Sequence, residues 1–194
     1  WDWNEEVWEY PVIIDNMMNL ELLFFATRET GDSVYHRIAD RHAHTTLVNH
    51  FREDNSAYHV LDYDPETGEV LARTTHQGYS DESAWARGQA WELYGYTMTY
   101  RFTKDPRYLE QAEKIALFIL QHPNLPEDMV PYWDFDAPGI PDEPRDASAA
   151  AIAASALLEL AQYSSSGEHY QDAAIRILES LSSPEYLSVD GEKR

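Results

Sequence analysis

The chain has no cysteine among its 194 residues, which excludes disulfides and thiolate catalysis and is compatible with oxidising and reducing compartments alike. Positive charge is scarce: 14 Lys and Arg stand against 35 Asp and Glu, a formal charge of −21. Nucleic acid is therefore excluded as a partner, because a polyanion is held by clustered Lys and Arg, and anionic membrane surfaces are disfavoured for the same reason. No apolar run reaches the roughly 18 residues of a membrane span. Strand-type alternation is nearly absent. An anionic ligand would meet an opposing field, so its site must supply local donors such as Arg or His. Residue 1 is a Trp in an aromatic-rich stretch, and the chain is expected to begin inside a longer protein.

What is present is helical periodicity. Apolar residues recur at helical spacing over 16–30, 33–51, 86–102, 106–122, 147–163 and 168–182,. The helices form pairs that turn over at Thr30-Gly31-Asp32, Thr103-Lys104-Asp105 and Ser166-Gly167-Glu168. A Tyr and an Ala then follow one turn apart: Tyr35 and Ala39, Tyr108 and Ala112, Tyr170 and Ala174. The acid caps a helix start while Tyr and Ala share a packing face. Repeated hairpins stack into an open solenoid or a closed ring. The expected fold is all-α, one segment over 1–194, with small residues (Gly88, Ala90, Gly95, the run Ala149 to Ala154) marking first helices as the inner layer and second helices as the outer,.

The intervening segments 52–84 and 123–145 exceed ordinary loop lengths and read as functional loops. Each leads into a first helix, so they gather on one rim. All six tryptophans (Trp1, Trp3, Trp8, Trp85, Trp91, Trp133) fall in rim segments or early in an inner helix. Aromatic faces beside carboxylates and amides suit a sugar site; plugging of a barrel mouth is the alternative.

Asp15 follows Val12-Ile13-Ile14 and starts a helix at that rim. Apolar burial would raise its pKa towards that of a general acid, whereas helix N-terminal donors would lower it; it could equally be an N-cap. A second group runs through His59, His76-Gln77-Gly78, Asp81 and Ser83 to Trp85-Ala86-Arg87-Gly88-Gln89-Ala90-Trp91. Arg87 offers a fork for a carboxylate, or a structural bridge to Asp81 or Asp15. A third patch, Pro131 to Pro138 with Trp133, precedes Arg145-Asp146-Ala147-Ser148, where Asp146 suits a cap. His42 and His44 diverge on a helix, and His36 and His50 lie too far off to complete a ligand set, so no metal is expected.

The segments Pro11 to Leu20, His76 to Asp81, Trp85 to Trp91 and Arg145 to Ala150 together resemble glycoside hydrolase family 88, the unsaturated glucuronyl hydrolases. The resemblance implies an (α/α)6 barrel, of which three hairpins make about half. It also implies a cofactor-independent enzyme that removes the terminal 4,5-unsaturated uronic acid from lyase-generated oligosaccharides. An aspartate matching Asp15 would protonate C4 and assist water addition at C5, and His59, Gln77, Trp85, Arg87 and Trp91 would line the site. The unsaturated rhamnogalacturonyl hydrolases share the fold but usually carry Gly-Asn where this chain has Gly88-Gln89. The family also has an essential aspartate upstream of the segment matching Asp15, so the 194 residues alone are not expected to be active, and an inactive carbohydrate-binding toroid is the other reading.

Overall fold

A computed structural model describes residues 8–187; Trp1 and Trp3 lie outside the described residues. Six helices form three hairpins: α1 (Asn16–Thr30) with α2 (Ser33–Asn49), α3 (Ala86–Thr103) with α4 (Pro106–Gln121), and α5 (Ala147–Leu160) with α6 (Gly167–Leu181). Inner α1, α3 and α5 lie side by side with α3 in the middle, and each outer helix packs against its own partner. The expected helices are recovered with small shifts at their ends.

The turn chemistry explains the hairpins. Gly31 (φ 73°) and Lys104 (φ 56°) end α1 and α3 in the left-handed conformation,. Asp32 and Asp105 then accept from the backbone N–H groups of Val34 and Arg107, supplying partners that the first helical turn lacks,. Tyr108, Tyr170, Ala39, Ala112 and Ala174 are buried as the repeat requires; Tyr35 is only half-buried. The third turn differs, because Ser166 makes no side-chain cap and Gly167 opens the helix against the Ala161 carbonyl.

Small residues set the inner spacing. A Cβ at Gly95 would lie 2.4 Å from the Met17 Cβ, so α1 and α3 cross where only glycine fits. Leu22, Phe25, Ile38 and Val48 remain exposed on the first hairpin and Leu158, Ile175 and Leu178 on the third. Between them, the middle hairpin exposes only Leu117 among its large aliphatic residues.

The segment 52–84, read from the sequence as a long functional loop, carries regular structure. It contains β2 (Val60–Tyr63) and β3 (Val70–Thr74), and with β1 (Pro11–Ile13) these make an antiparallel sheet in the order β1-β2-β3. The register pairs Ile13 with Val60 and Leu61 with Arg73. Asp64 accepts from the N–H groups of Glu66 and Thr67, and Gly68 (φ 74°) closes the turn. Short strands buried on both faces, as β2 is, show no alternation, which hid them,. The Asp64-Pro65-Glu66-Thr67-Gly68 turn between two Val-Leu starts is the signal that would have found them,.

Glu92 is fully buried on α3, with no hydrogen-bond partner for either carboxyl oxygen among the described residues. Burial pushes its pKa well above the ordinary 4.5, against a lowering by Arg52. The folded state therefore holds this proton more tightly than the unfolded chain, so the stability it contributes is complete below pH 4.5 and is lost as pH rises towards the elevated value. Glu92→Gln, which cannot ionise, is expected to raise Tm by about 2–4 °C at pH 8. Thermal denaturation should show that gain closing towards pH 4.

Candidate active site

The site is built where β1 runs into α1. The N–H of Ile14 donates to the carbonyl of His59 at 3.0 Å, continuing the β1–β2 ladder by one residue. This places the next residue, Asp15, beside His59: Oδ2 of Asp15 and Nε2 of His59 are 3.8 Å apart. Asp15 occupies the N-cap position of α1 without a side-chain cap bond, so the capping alternative fails. Burial raises its pKa, partly offset by its own backbone hydrogen bond and by the charge of Arg87.

His59 has a determined tautomer. Its Nδ1 lies 3.1 Å from the backbone N–H of both His76 and Gln77, which can only donate. In the neutral ring Nδ1 is thus the acceptor, and the hydrogen sits on Nε2, facing Asp15. Burial, with the nearby His76 and Arg87, lowers the His59 pKa to about 4. Nε2 of His59 and Oδ2 of Asp15 are both buried, with no hydrogen-bond partner among the described residues. Their separation exceeds hydrogen-bonding distance. Buried polar atoms left unsatisfied in this way mark groups with a role beyond the packing of the fold.

The other expected residues gather around this pair in different ways. Trp85, at 3% exposure, is no open stacking platform; its ring lies 4.4 Å from that of His59 and 5.0 Å from the Arg87 guanidinium, and it supports both from behind. Arg87 donates to Ser148 at 2.9 Å and lies 3.5 Å from Asp146, pairing with neither Asp81 nor Asp15. Asp146 caps α5 through the N–H of Ala149, as expected. Gln77 contributes its backbone N–H, with an exposed side chain. Trp91 is half-buried one turn from Arg87, and Arg87, Trp91 and Tyr94 form a stripe turned away from Tyr96, which faces α4,. Trp133 donates to Glu143 at 2.9 Å. Trp8 stands edge-on to His76.

Other residues support the pair in ways the sequence did not show. Arg52 donates to the carbonyls of Ala57, Asp81 and Ser83, tying the end of α2 to the approach to α3. Gln89 accepts from the N–H of Ala57 at 2.8 Å and donates to its carbonyl at 3.2 Å, gripping the chain two residues before His59. Gly88 leaves room for Ile14 and Trp85, not for a ligand. Among the described residues no group of three or more His, Asp or Glu could hold a metal. A cavity of about 850 Å³ lies between α2 and the sheet, lined by Tyr10, Arg37, Arg41, His42 and Tyr63. It does not include Asp15, His59 or Arg87, so size alone does not locate the chemistry.

The stacked helical hairpins make the chain part of a helical toroid, with a carboxyl group of raised pKa facing a neutral imidazole at the start of its first inner helix. No family model matches the chain. It is 56% identical over 190 residues to an unsaturated glucuronyl hydrolase of Formosa agariphila, covering 98% of this chain and 47% of that protein. The crystal structure of an unsaturated glucuronyl hydrolase specific for heparin superposes with a TM-score of 0.93 at 55% identity, over 95% of this chain and 50% of that one. A variant of the Streptococcus agalactiae enzyme complexed with dGlcA-GalNAc6S gives a TM-score of 0.75 at 41% identity, over 87% and 45%. The chain belongs to the unsaturated glucuronyl hydrolases, glycoside hydrolase family 88. It spans about half the length of these relatives.

The length of the Gln89 side chain lets it reach both backbone groups of Ala57. Gln89→Asn shortens the side chain by one methylene and leaves the buried N–H of Ala57 unpaired, at a cost of about 1–3 kcal/mol. Chemical denaturation is expected to show that loss, and histidine imidazole NMR should show the His59 signal broadened.

Proposed function

We propose that the protein containing this chain releases the terminal 4,5-unsaturated uronic acid from lyase-generated oligosaccharides by hydrating the C4=C5 vinyl ether, and that residues 1–194 contribute one half of its (α/α)6 barrel. The observation that carries the reading is the facing pair of buried atoms on Asp15 and His59, neither of which has a hydrogen-bond partner among the described residues. Asp15, whose pKa is raised by burial, is the catalytic acid. Its proton passes to C4, water adds to C5, and the carboxylate takes up the proton released by that water. The resulting hemiketal opens and frees the neighbouring sugar. No glycosyl-enzyme forms, which distinguishes this route from displacement by two carboxylates.

In this reading His59 offers Nε2–H to the oxygen developing at C5 or to the attacking water. Arg87 supplies the local cation for the uronate carboxylate that the charge of −21 demands,. Trp91 and Trp133 border the sugar rings, Gln77 lines the same approach, and Trp85 backs His59. Arg87 being held by Ser148 and Asp146 presents its fork in a fixed orientation,.

Asp15→Asn in the complete protein is expected to cut kcat by about 10²–10⁴ while binding persists, followed by loss of the near-ultraviolet absorbance of the double bond. Retained turnover would remove Asp15 from the role. Parallel assays on glucuronyl and galacturonyl disaccharides separate this activity from rhamnogalacturonyl hydrolysis, and binding without turnover on either marks an inactive toroid.

The pH profile follows from the same groups. Rate falls on the alkaline side as Asp15 loses its proton and on the acid side as His59 charges near pH 4,. The Arg87 charge lowers both values. Arg87→Gln is expected to move both limbs of kcat to higher pH, alongside a raised KM.

A further inference from the structure

Asp134 lies in the 123–145 segment, at 0% exposure. Its Oδ2 accepts from the backbone N–H of Tyr79 at 2.9 Å and from the hydroxyl of Ser83 at 2.7 Å, and its Oδ1 accepts from the N–H of Asp136 at 2.9 Å. Two of these bonds cross to the turn over residues 75–83. That turn is laced internally: Gly78 N–H donates to Thr75 Oγ1, Thr75 N–H to Asp81, and Ser80 N–H to Ser83 Oγ. Gly78 is wedged among these groups, since a Cβ there would lie 2.6 Å from Thr75 Oγ1 and 3.1 Å from Asp134 Oδ2.

The same turn carries the two N–H groups that hold Nδ1 of His59. They project from His76 and Gln77, immediately before the residue packed on Asp134. We propose that Asp134 is a positioning residue: by holding the 75–83 turn it keeps both N–H groups on Nδ1 of His59, which keeps the imidazole hydrogen on Nε2 and aimed at Asp15. The inference rests on the reading of Asp15 and His59 given above, but it concerns an interaction that can be measured without turnover.

A buried carboxylate serves this purpose because it accepts several hydrogen bonds at once and donates none. Asparagine keeps the shape but can satisfy only one side with its oxygen. If the turn relaxes, Nδ1 loses its donors and the neutral ring is free to carry its hydrogen on either nitrogen. The effect on chemistry is orientational, which can be large for sub-ångström displacements.

The test uses the full-length protein labelled with ¹⁵N-histidine, the His59 signal being assigned by its loss in His59→Gln. The parent is expected to show Nδ1 unprotonated and Nε2 protonated. Asp134→Asn and Gly78→Ala, one removing an acceptor and the other displacing the turn, should both give mixed tautomers, a kcat reduced by about tenfold to a hundredfold with KM changed less, and a displaced acid limb. Asp128→Asn is the control, because Asp128 binds Arg145 and Tyr186 in the same segment without touching the turn. It should lower Tm and leave the tautomer unchanged. An unchanged tautomer in both Asp134→Asn and Gly78→Ala, or an equal change in Asp128→Asn, overturns the proposal. Absence of turnover in the parent together with the expected tautomer changes refutes the hydrolase reading and leaves the positioning role standing.

Discussion

The hydrogen bond from Ile14 N–H to the His59 carbonyl joins two parts of the chain 45 residues apart. Without it the carboxylate at the head of α1 and the imidazole at the head of β2 would each be an isolated polar group in an apolar setting. With it they face each other across 3.8 Å. The bond is one rung beyond the β1–β2 ladder, so its geometry is inherited from the strand register. A slip of one residue would turn every side chain to the opposite face and separate the pair.

That rung needs support on both sides, and the hairpin stack supplies it. On the Asp15 side, α1 is seated against α3 by the close approach of Met17 to Gly95. On the His59 side, Gln89 of α3 grips Ala57, and Arg52 ties the end of α2 to the segment before α3. The middle inner helix therefore anchors both halves of the pair and carries Arg87 beside them. The two long rim segments close the arrangement by meeting each other, with Phe135 N–H donating to Ala84 and Ala86 N–H to Trp133. A site of this kind is assembled from the ends of several elements, each rigid, so its precision comes from the stack.

Electrostatics then follow from position. Burial alone favours the uncharged form of both groups, raising Asp15 and lowering His59,. The two shifts bias Asp15 towards its protonated form and His59 towards the neutral ring, and Arg87 lowers both values. The strongly acidic surface does not dictate the state of the site, because local burial and one guanidinium outweigh distant screened charges.

Helix boundaries, hairpin turnover and the rim placement of Asp15 were legible in the sequence because they are local: helical periodicity, Asp32 and Asp105 as caps, and Gly31 as a helix end act over a few residues. The four segments from Pro11 to Ala150 that resemble family 88 were legible too, as residue identities. The sheet was not, because β2 is buried on both faces and lacks alternation. Nor was the part played by Trp85, read as a lining aromatic and found as a buried support, or the choice between capping and facing His59 for Asp15. Those outcomes depend on contacts between residues tens of positions apart. Only the tertiary structure sets such contacts, since the free energy that decides them is the burial and pairing of groups the chain brings together when it folds.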